Sequence, residues 1–329
     1  MKLKWIKFKT SQGFSAFLML ILIIVVNIFL QGRRFVNASS INSIFIVNTP
    51  LILATIAQSI IIFCGGIDLS IGATLSVVNA FAITAAQHIP LFAAWIGAFL
   101  IAVLISLING YLFAYCRIPA ILSTFAMTSV IEGLALLILP RPGGLVPSYI
   151  YEVYGNAIGG VFPVSAIIVI AAIGIYTLVE MREAGAQIKA AGASPRNLFI
   201  DGVDVAKTRL KAYLISGCFT GAAGLCLTAL ASSGDPTIGN EMSLNTIAAA
   251  ILGGVSLSGG IGSVGGAAAG ALFMSIVKNM INYIFNNLVS SSTVFSIKIS
   301  NLQSLLTNII VILGLCSNLL TKIGKRRRK

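Results

Sequence analysis

Charge is what this sequence has least of, and acid least of all. Of 329 residues, 9% are charged, against roughly 25% in an ordinary soluble domain. Only nine are Asp or Glu, 57% are apolar, and mean hydropathy is +0.98. A soluble chain of this length needs far more polar surface. A cytosolic enzyme, a secreted domain and a disordered protein are therefore excluded, and a polytopic membrane protein remains. One histidine, His88, excludes a multi-His metal site or a histidine relay. Five cysteines (Cys64, Cys116, Cys218, Cys226, Cys316) form no CxxC pair and read as small buried hydrophobes. There is no GxxxxGK[ST] loop. Gly260–Gly265 matches GxGxxG, but no acid follows Glu241, so the dinucleotide reading fails. No cofactor or metal is expected on this chain, and any ATP is used by a partner subunit.

The net charge of +13 has locations. Ten of the charged residues lie in the two tails and ten more between Glu180 and Lys211. Basic tails and one basic loop read as cytoplasmic flanks beside anionic membrane lipid. No basic face with interleaved aromatics exists, so nucleic-acid binding is excluded. Apolar runs of about 20 residues span a bilayer. They fall near 14–30, 44–64, 68–87, 91–114, 119–139, 160–180, 211–232, 243–258, 263–287 and 301–320. The first follows four lysines and has no cleavage site, so it reads as a retained span. The third and eighth are short and glycine-flanked, as broken or re-entrant helices are. The expectation is an all-α polytopic fold with about ten transmembrane helices. Residues 1–329 form one transmembrane domain with both termini cytoplasmic, a cytoplasmic loop over 181–211, and external stretches near 140–160 and 288–300. Arg33 and Arg34 then lie outside, a mild exception. Gly217/Gly221 and Gly262/Gly266/Gly270 recur at four-residue spacing and read as helix-packing ridges, within one subunit or at a dimer seam.

Two features carry the functional reading. In the loop, Ser194-Pro195 reads as an N-cap followed by proline at the first helical position. Arg196 to Asp201 then form a turn or two, Gly202 suits a left-handed C-terminal cap, and Asp204 caps the next helix. A short capped helix here is either a docking knob or a connector, and thirty residues is long for a connector. The second feature is a repeat. Gly65-Gly66-Ile67-Asp68-Leu69-Ser70 is echoed by Gly253-Gly254-Val255-Ser256-Leu257-Ser258. Paired glycine-interrupted segments point to broken helices at a pathway or gate. Asp68 is the first acid of the chain; it is either functional or caps the following helix. Glu132 and Lys278 sit in apolar stretches and either pair or face an internal cavity.

These strings carry a resemblance. Residues 65–72, Gly192–Gly202, 211–217 and 247–263 resemble the permease subunits of bacterial ABC importers for ribose, xylose, galactose and related sugars, over about residues 35–285. The resemblance implies that two permease subunits, self or paralogue, form the pathway. A cytoplasmic ABC ATPase docks on the segment containing Gly192, Ser194, Pro195, Arg196, Asp201 and Gly202. An extracytoplasmic binding protein delivers the solute. In this view 195–201 is the coupling helix, and Gly65, Gly66, Asp68, Ser70, Gly253, Gly254, Ser256 and Ser258 belong to the pathway. The implied localisation is the bacterial cytoplasmic membrane, and the implied chemistry is transport. The chain departs from the family pattern at Ser243-Leu244-Asn245, where members carry Glu-Leu-Asp, and at Glu132-Gly133, where they carry Arg-Gly. A divergent homodimer and a heterodimer both fit those changes. Related permeases serve nucleosides and amino acids. A secondary transporter using Asp68 and Glu132 as ion sites, and a non-transporting scaffold or receptor, are the alternatives of a different class.

Overall fold

Within lipid every backbone N–H and C=O needs a partner from its own segment, so long apolar runs fold as helices. The computed structural model describes residues 14–159 and 162–289. In chain order its helices are α1 (Phe14–Gln31), α2 (Arg33–Val36), α3 (Ala38–Phe63), α4 (Ile71–Ala85), α5 (Leu91–Ala114), α6 (Ala120–Ile138), α7 (Ser148–Gly155), α8 (Val164–Glu180), α9 (Glu183–Ala193), α10 (Pro195–Ile200), α11 (Val205–Ala231), α12 (Met242–Leu252) and α13 (Val264–Val289). Four short strands, β1 (Gly143–Leu145), β2 (Ala157–Ile158), β3 (Phe162–Pro163) and β4 (Ser233–Gly234), form two antiparallel pairs, β1–β4 and β2–β3.

Nine of the ten expected spans coincide with a helix; the tenth, 301–320, lies outside the described residues. By length and composition, α3, α5, α6, α11 and α13 are each able to cross a membrane. The pair α8 and α9, bent by 79°, makes a sixth if counted as one broken span. The helices α1, α4 and α12 are shorter. At 1.5 Å per residue, α4 and α12 reach only about 22 and 16 Å, against roughly 30 Å of hydrocarbon. These are the two segments whose glycine flanks mark them as short.

The centre of the molecule is α3, in which every residue from Ile52 to Phe63 is buried. The long α11 lies against α3, α4 and α5. Its glycines make that approach feasible: a Cβ at Gly217 would lie 2.8 Å from Ser106 Cβ and 3.0 Å from Val103 Cα on α5. Gly270 seats α13 on α12 in the same way, 2.2 Å from the Ala249 carbonyl oxygen. Gly217, Gly221 and Gly270 thus serve packing within one chain, but Gly262 precedes α13 with φ +139°, so the expected ridge of Gly262, Gly266 and Gly270 is helical only at its last two members. The outer faces of α5 and α6 stay apolar and exposed, at Leu100, Leu104, Ile108, Leu122, Phe125 and Leu137. His88 is exposed in the turn after α4. Cys64 and Cys226 are buried, whereas Cys116 is exposed just beyond α5. Of the expected external stretch 140–160, residues 140–159 fold as β1, α7 and β2, and β1 pairs with β4 at the exit of α11. The other expected external stretch, 288–300, lies almost wholly outside the described residues.

Candidate functional site: two helix breaks and the capped helix

The first break follows α3. Gly65 has φ +85°, and its N–H bonds to the Ile62 carbonyl at 3.0 Å while Gly66 N–H bonds to Ile61 at 3.0 Å. This double closure is a Schellman cap, and it needs the left-handed residue that glycine supplies. Asp68, 2% exposed, then turns the chain into α4. Its Oδ1 accepts from the Ser70 N–H and the Ser70 hydroxyl, both at 2.7 Å. The Ser70 Oγ in turn accepts from Asn109 Nδ2 at 2.8 Å. The Gln58 amide, oriented to satisfy both its groups, donates to the Asp68 carbonyl at 3.0 Å and accepts from the Asp68 N–H at 3.2 Å. Thr124 of α6 accepts from the Leu69 N–H and donates to the Ile67 carbonyl. The turn is thus held from α3, α5 and α6 at once. Asp68 and Ser70 are buried and do not line an open path in this conformation.

The second break follows α12 and repeats the closure. Gly254 has φ +86°; its N–H bonds to Ile251 at 2.9 Å, and Val255 N–H bonds to Ala250 at 3.0 Å. The left-handed residue is Gly65 in one half and Gly254 in the other. The structural repeat is therefore one residue out of step with the string match, which pairs Gly65 with Gly253. Gly253 is the C-cap residue, as Cys64 is in the first half. This break is longer and turns through Ser256 N–H to Ile261 carbonyl, at 2.9 Å. Ser256 is half-buried and Ser258 exposed.

The two breaks touch. Gly260 N–H donates to the Phe63 carbonyl at 3.0 Å. Gly192, at the end of α9, is pressed into the junction. A Cβ there would lie 2.1 Å from Phe63 O, 2.9 Å from Gly65 N and 3.0 Å from Gly260 N. A Cβ at Gly259 would meet the same residue from the other side, 2.9 Å from Gly192 Cα. A second bridge joins the halves through α4: Gly72 N–H donates to Ser243 Oγ and Gly239 N–H to Ser76 Oγ, each at 2.9 Å. Ser243, a departure from the family pattern, thus serves as an acceptor for the first turn of α4.

The 181–211 segment is more ordered than a loop. Its first part is α9, which buries Gly185, Ile188 and Ala191. Lys189 pairs with Glu180, donates to the Gly262 carbonyl at 3.0 Å and lies 5.1 Å from the Phe63 ring centroid. Sequence reading passes over Gly192 as a junction residue and takes Lys189 and Glu180 only as loop charge. The signal available for them is the three-residue spacing of small and apolar residues at 185, 188 and 191. Next comes α10, with Ser194 as N-cap residue and Pro195 at its first position; the Ser194 side chain makes no capping bond. Gly202 has φ +79°, and Gly202 N–H to Phe199 and Val203 N–H to Leu198 close a third Schellman cap. Asp204 caps α11, accepting from Ala206 N–H at 2.9 Å and Lys207 N–H at 3.1 Å. The Lys207 amide, with that of Ala206, holds its carboxyl below the usual range. Leu198 anchors α10 inward, while Arg196, Phe199, Ile200 and Asp201 are exposed. Beside α10 lies a groove of about 440 Å³ lined by Phe113, Arg117, Ile118, Phe199 and Arg209, among others. Glu132 is half-buried on α6, Lys278 is exposed on α13, and no ion pair joins them.

Residues 40–315 match the family described as branched-chain amino acid transport system / permease component. The D-allose transport system permease protein of Escherichia coli is 30% identical over 269 residues, 80% of this chain and 82% of that one. The ribose import permease protein of Bacillus subtilis is 30% identical over 237 residues, 70% and 73% of the two chains. The L-arabinose ABC transporter permease protein of Azospirillum brasilense is 27% identical over 271 residues, 80% and 79%. No solved structure matches the chain. The matched residues take in both helix breaks, the capped helix between them and every span-length helix except the first residues of α3. By sequence, this chain belongs to the branched-chain amino acid transport system / permease component family, and the relatives named above are sugar permeases.

Proposed function

We propose that this chain is the membrane-spanning permease subunit of an ABC importer for a sugar or sugar-like solute. It has ten spans, both termini in the cytoplasm, and resides in a bacterial cytoplasmic membrane. The observation that carries the reading is the tip of α10. Phe199 and Ile200 are 73% and 71% exposed on a polar segment, beside a groove that Phe199 helps to line. Exposed apolar surface on a polar segment marks a partner contact. The chain has no phosphate loop of its own, so the partner is a cytoplasmic ATPase that docks on α10 and uses the ATP. The apolar outer faces of α5 and α6 are suited to lipid and to a second permease subunit, self or paralogue. An extracytoplasmic binding protein delivers the solute, and the names of the relatives favour a monosaccharide. The permease itself makes and breaks no covalent bond. It offers two conformations of different access, biased by its partners.

The experiment is purification of the chain from its native membrane with identification of what accompanies it. The reading predicts an ABC ATPase and a binding protein, the latter shifted in melting temperature by a monosaccharide rather than by nucleosides or amino acids. Recovery of the chain with no ATPase would overturn it.

A further inference from the structure

The helix that leads into the capped helix is joined to both breaks through one side chain. Lys189 extends from α9 to three elements. Its Nζ pairs with Glu180 at the end of α8 and donates to the Gly262 carbonyl just before α13, at 3.0 Å. It also lies over the Phe63 ring at the end of α3, 5.1 Å from the centroid. One turn further along α9, Gly192 is wedged against Phe63 O and Gly65 N. The link from α9 to α10 is short and hydrogen-bonded: Ser194 N–H bonds to Ala190 at 2.9 Å and Leu198 N–H to Ser194 at 3.2 Å. Only Ser194 separates α9 from α10 and the two helices are in contact, so a shift of α10 is passed directly to α9. An ammonium with three donors suits this place: it joins a carboxylate at the end of α8, a carbonyl of the second break and a ring at the end of α3.

We propose that Lys189 is a positioning residue that fastens α9 to both helix breaks, so that a push on α10 moves the end of α3 and the start of α13 as one unit. This rests on the importer reading above. The effect is expected in coupling rather than in assembly, because the exposed face of α10 carries none of these contacts.

The test compares Lys189→Met, which keeps the length of the stem, with Lys189→Arg, which keeps a donor, in the reconstituted complex with its ATPase and binding protein. Lys189→Met should still bind the ATPase and hydrolyse ATP, but solute moved per ATP should fall about tenfold, the scale of one charge-assisted hydrogen bond. Lys189→Arg, which keeps the charge and its donors, should lose less than Lys189→Met. Hydrogen exchange on the isolated chain should rise in residues 256–263 of Lys189→Met while α11 is unchanged. Full coupling in Lys189→Met, or an arginine variant as impaired as the methionine one, overturns the proposal. If Lys189→Met fails to accumulate, Glu180→Gln takes its place with a smaller expected loss of about threefold, and unchanged coupling there also overturns it. Failure of the importer reading shows separately, as absence of ATP-driven uptake by the unsubstituted chain. Faster exchange in Lys189→Met would then reduce Lys189 to a structural fastener and end the coupling role.

Discussion

Alanine at Gly192 tests the junction by its sign. In an ordinary helix, Gly→Ala stabilises by about 1 kcal/mol, and Gly192 lies in the last turn of α9. Here the added Cβ would sit 2.1 Å from Phe63 O, 2.9 Å from Gly65 N and 3.0 Å from Gly260 N. All three are backbone atoms, so no side chain can swing aside. Overpacking of this kind costs about 1–3 kcal/mol. Lifting α9 to relieve it strains the Gly260 N–H to Phe63 O bond, which contributes about 1 kcal/mol. The clash outweighs the propensity, and the net is a destabilisation of about 1–3 kcal/mol. Gly174 is the control. It lies in the helix α8, and a Cβ there meets nothing within 4 Å. Thermal unfolding in detergent should show Gly192→Ala melting a few degrees below the parent and Gly174→Ala at or above it. ATP-driven uptake should be lost in the first and kept in the second. A Gly192→Ala protein as stable and active as Gly174→Ala would refute the close approach.

Three further outcomes follow from the same geometry. Asp68→Asn keeps an oxygen for the Ser70 N–H and hydroxyl, so it should accumulate near the parent level with reduced transport, whereas Asp68→Ala, losing both bonds at about 2–4 kcal/mol, should accumulate poorly on a membrane blot; equal loss of accumulation and transport in the Asn variant would make Asp68 purely structural. Gly202→Val meets no atom within 4 Å but must adopt φ +79°, a cost of about 1–2 kcal/mol confined to the α10 cap. Its membrane insertion should be unchanged and its co-purification with the ATPase reduced; undiminished co-purification would refute the capped-knob account. The Lys207 and Ala206 amides lower the pKa of Asp204 in the fold, so its capping contribution is present above the unfolded carboxylate range, near pH 4, and lost as pH falls through the lower folded value. Protection of the Ala206 and Lys207 amides should therefore fall with acidification in the parent, and Asp204→Asn should remove that dependence.

What was legible in the sequence was local or one-dimensional. Hydropathy located the long helices, and the glycine flanks marked α4 and α12 as short. The α10 knob was readable because a proline start, a glycine cap and an Asp cap each act within a few residues; Gly202 and Asp204 take those roles, although the Ser194 side chain makes no cap bond. What depends on distant chain meeting chain was not readable. Gly192 looks like part of a loop motif, yet its missing Cβ is required by Phe63, Gly65 and Gly260, residues up to about 130 positions away. Lys189 and Glu180 read only as loop charge in the sequence, because nothing local announces a 79° bend that folds α9 back onto the breaks. The string repeat is one residue out of register with the structural one, since letters match on identity whereas the caps match on which glycine turns left-handed.

The most direct measurement of the whole account is uptake into vesicles that hold the chain with its ATPase, with ATP inside, the binding protein outside and every ion gradient collapsed. The account predicts accumulation of a monosaccharide that stops when ATP or the binding protein is left out. Uptake that runs without ATP and follows an imposed proton or sodium gradient would contradict it.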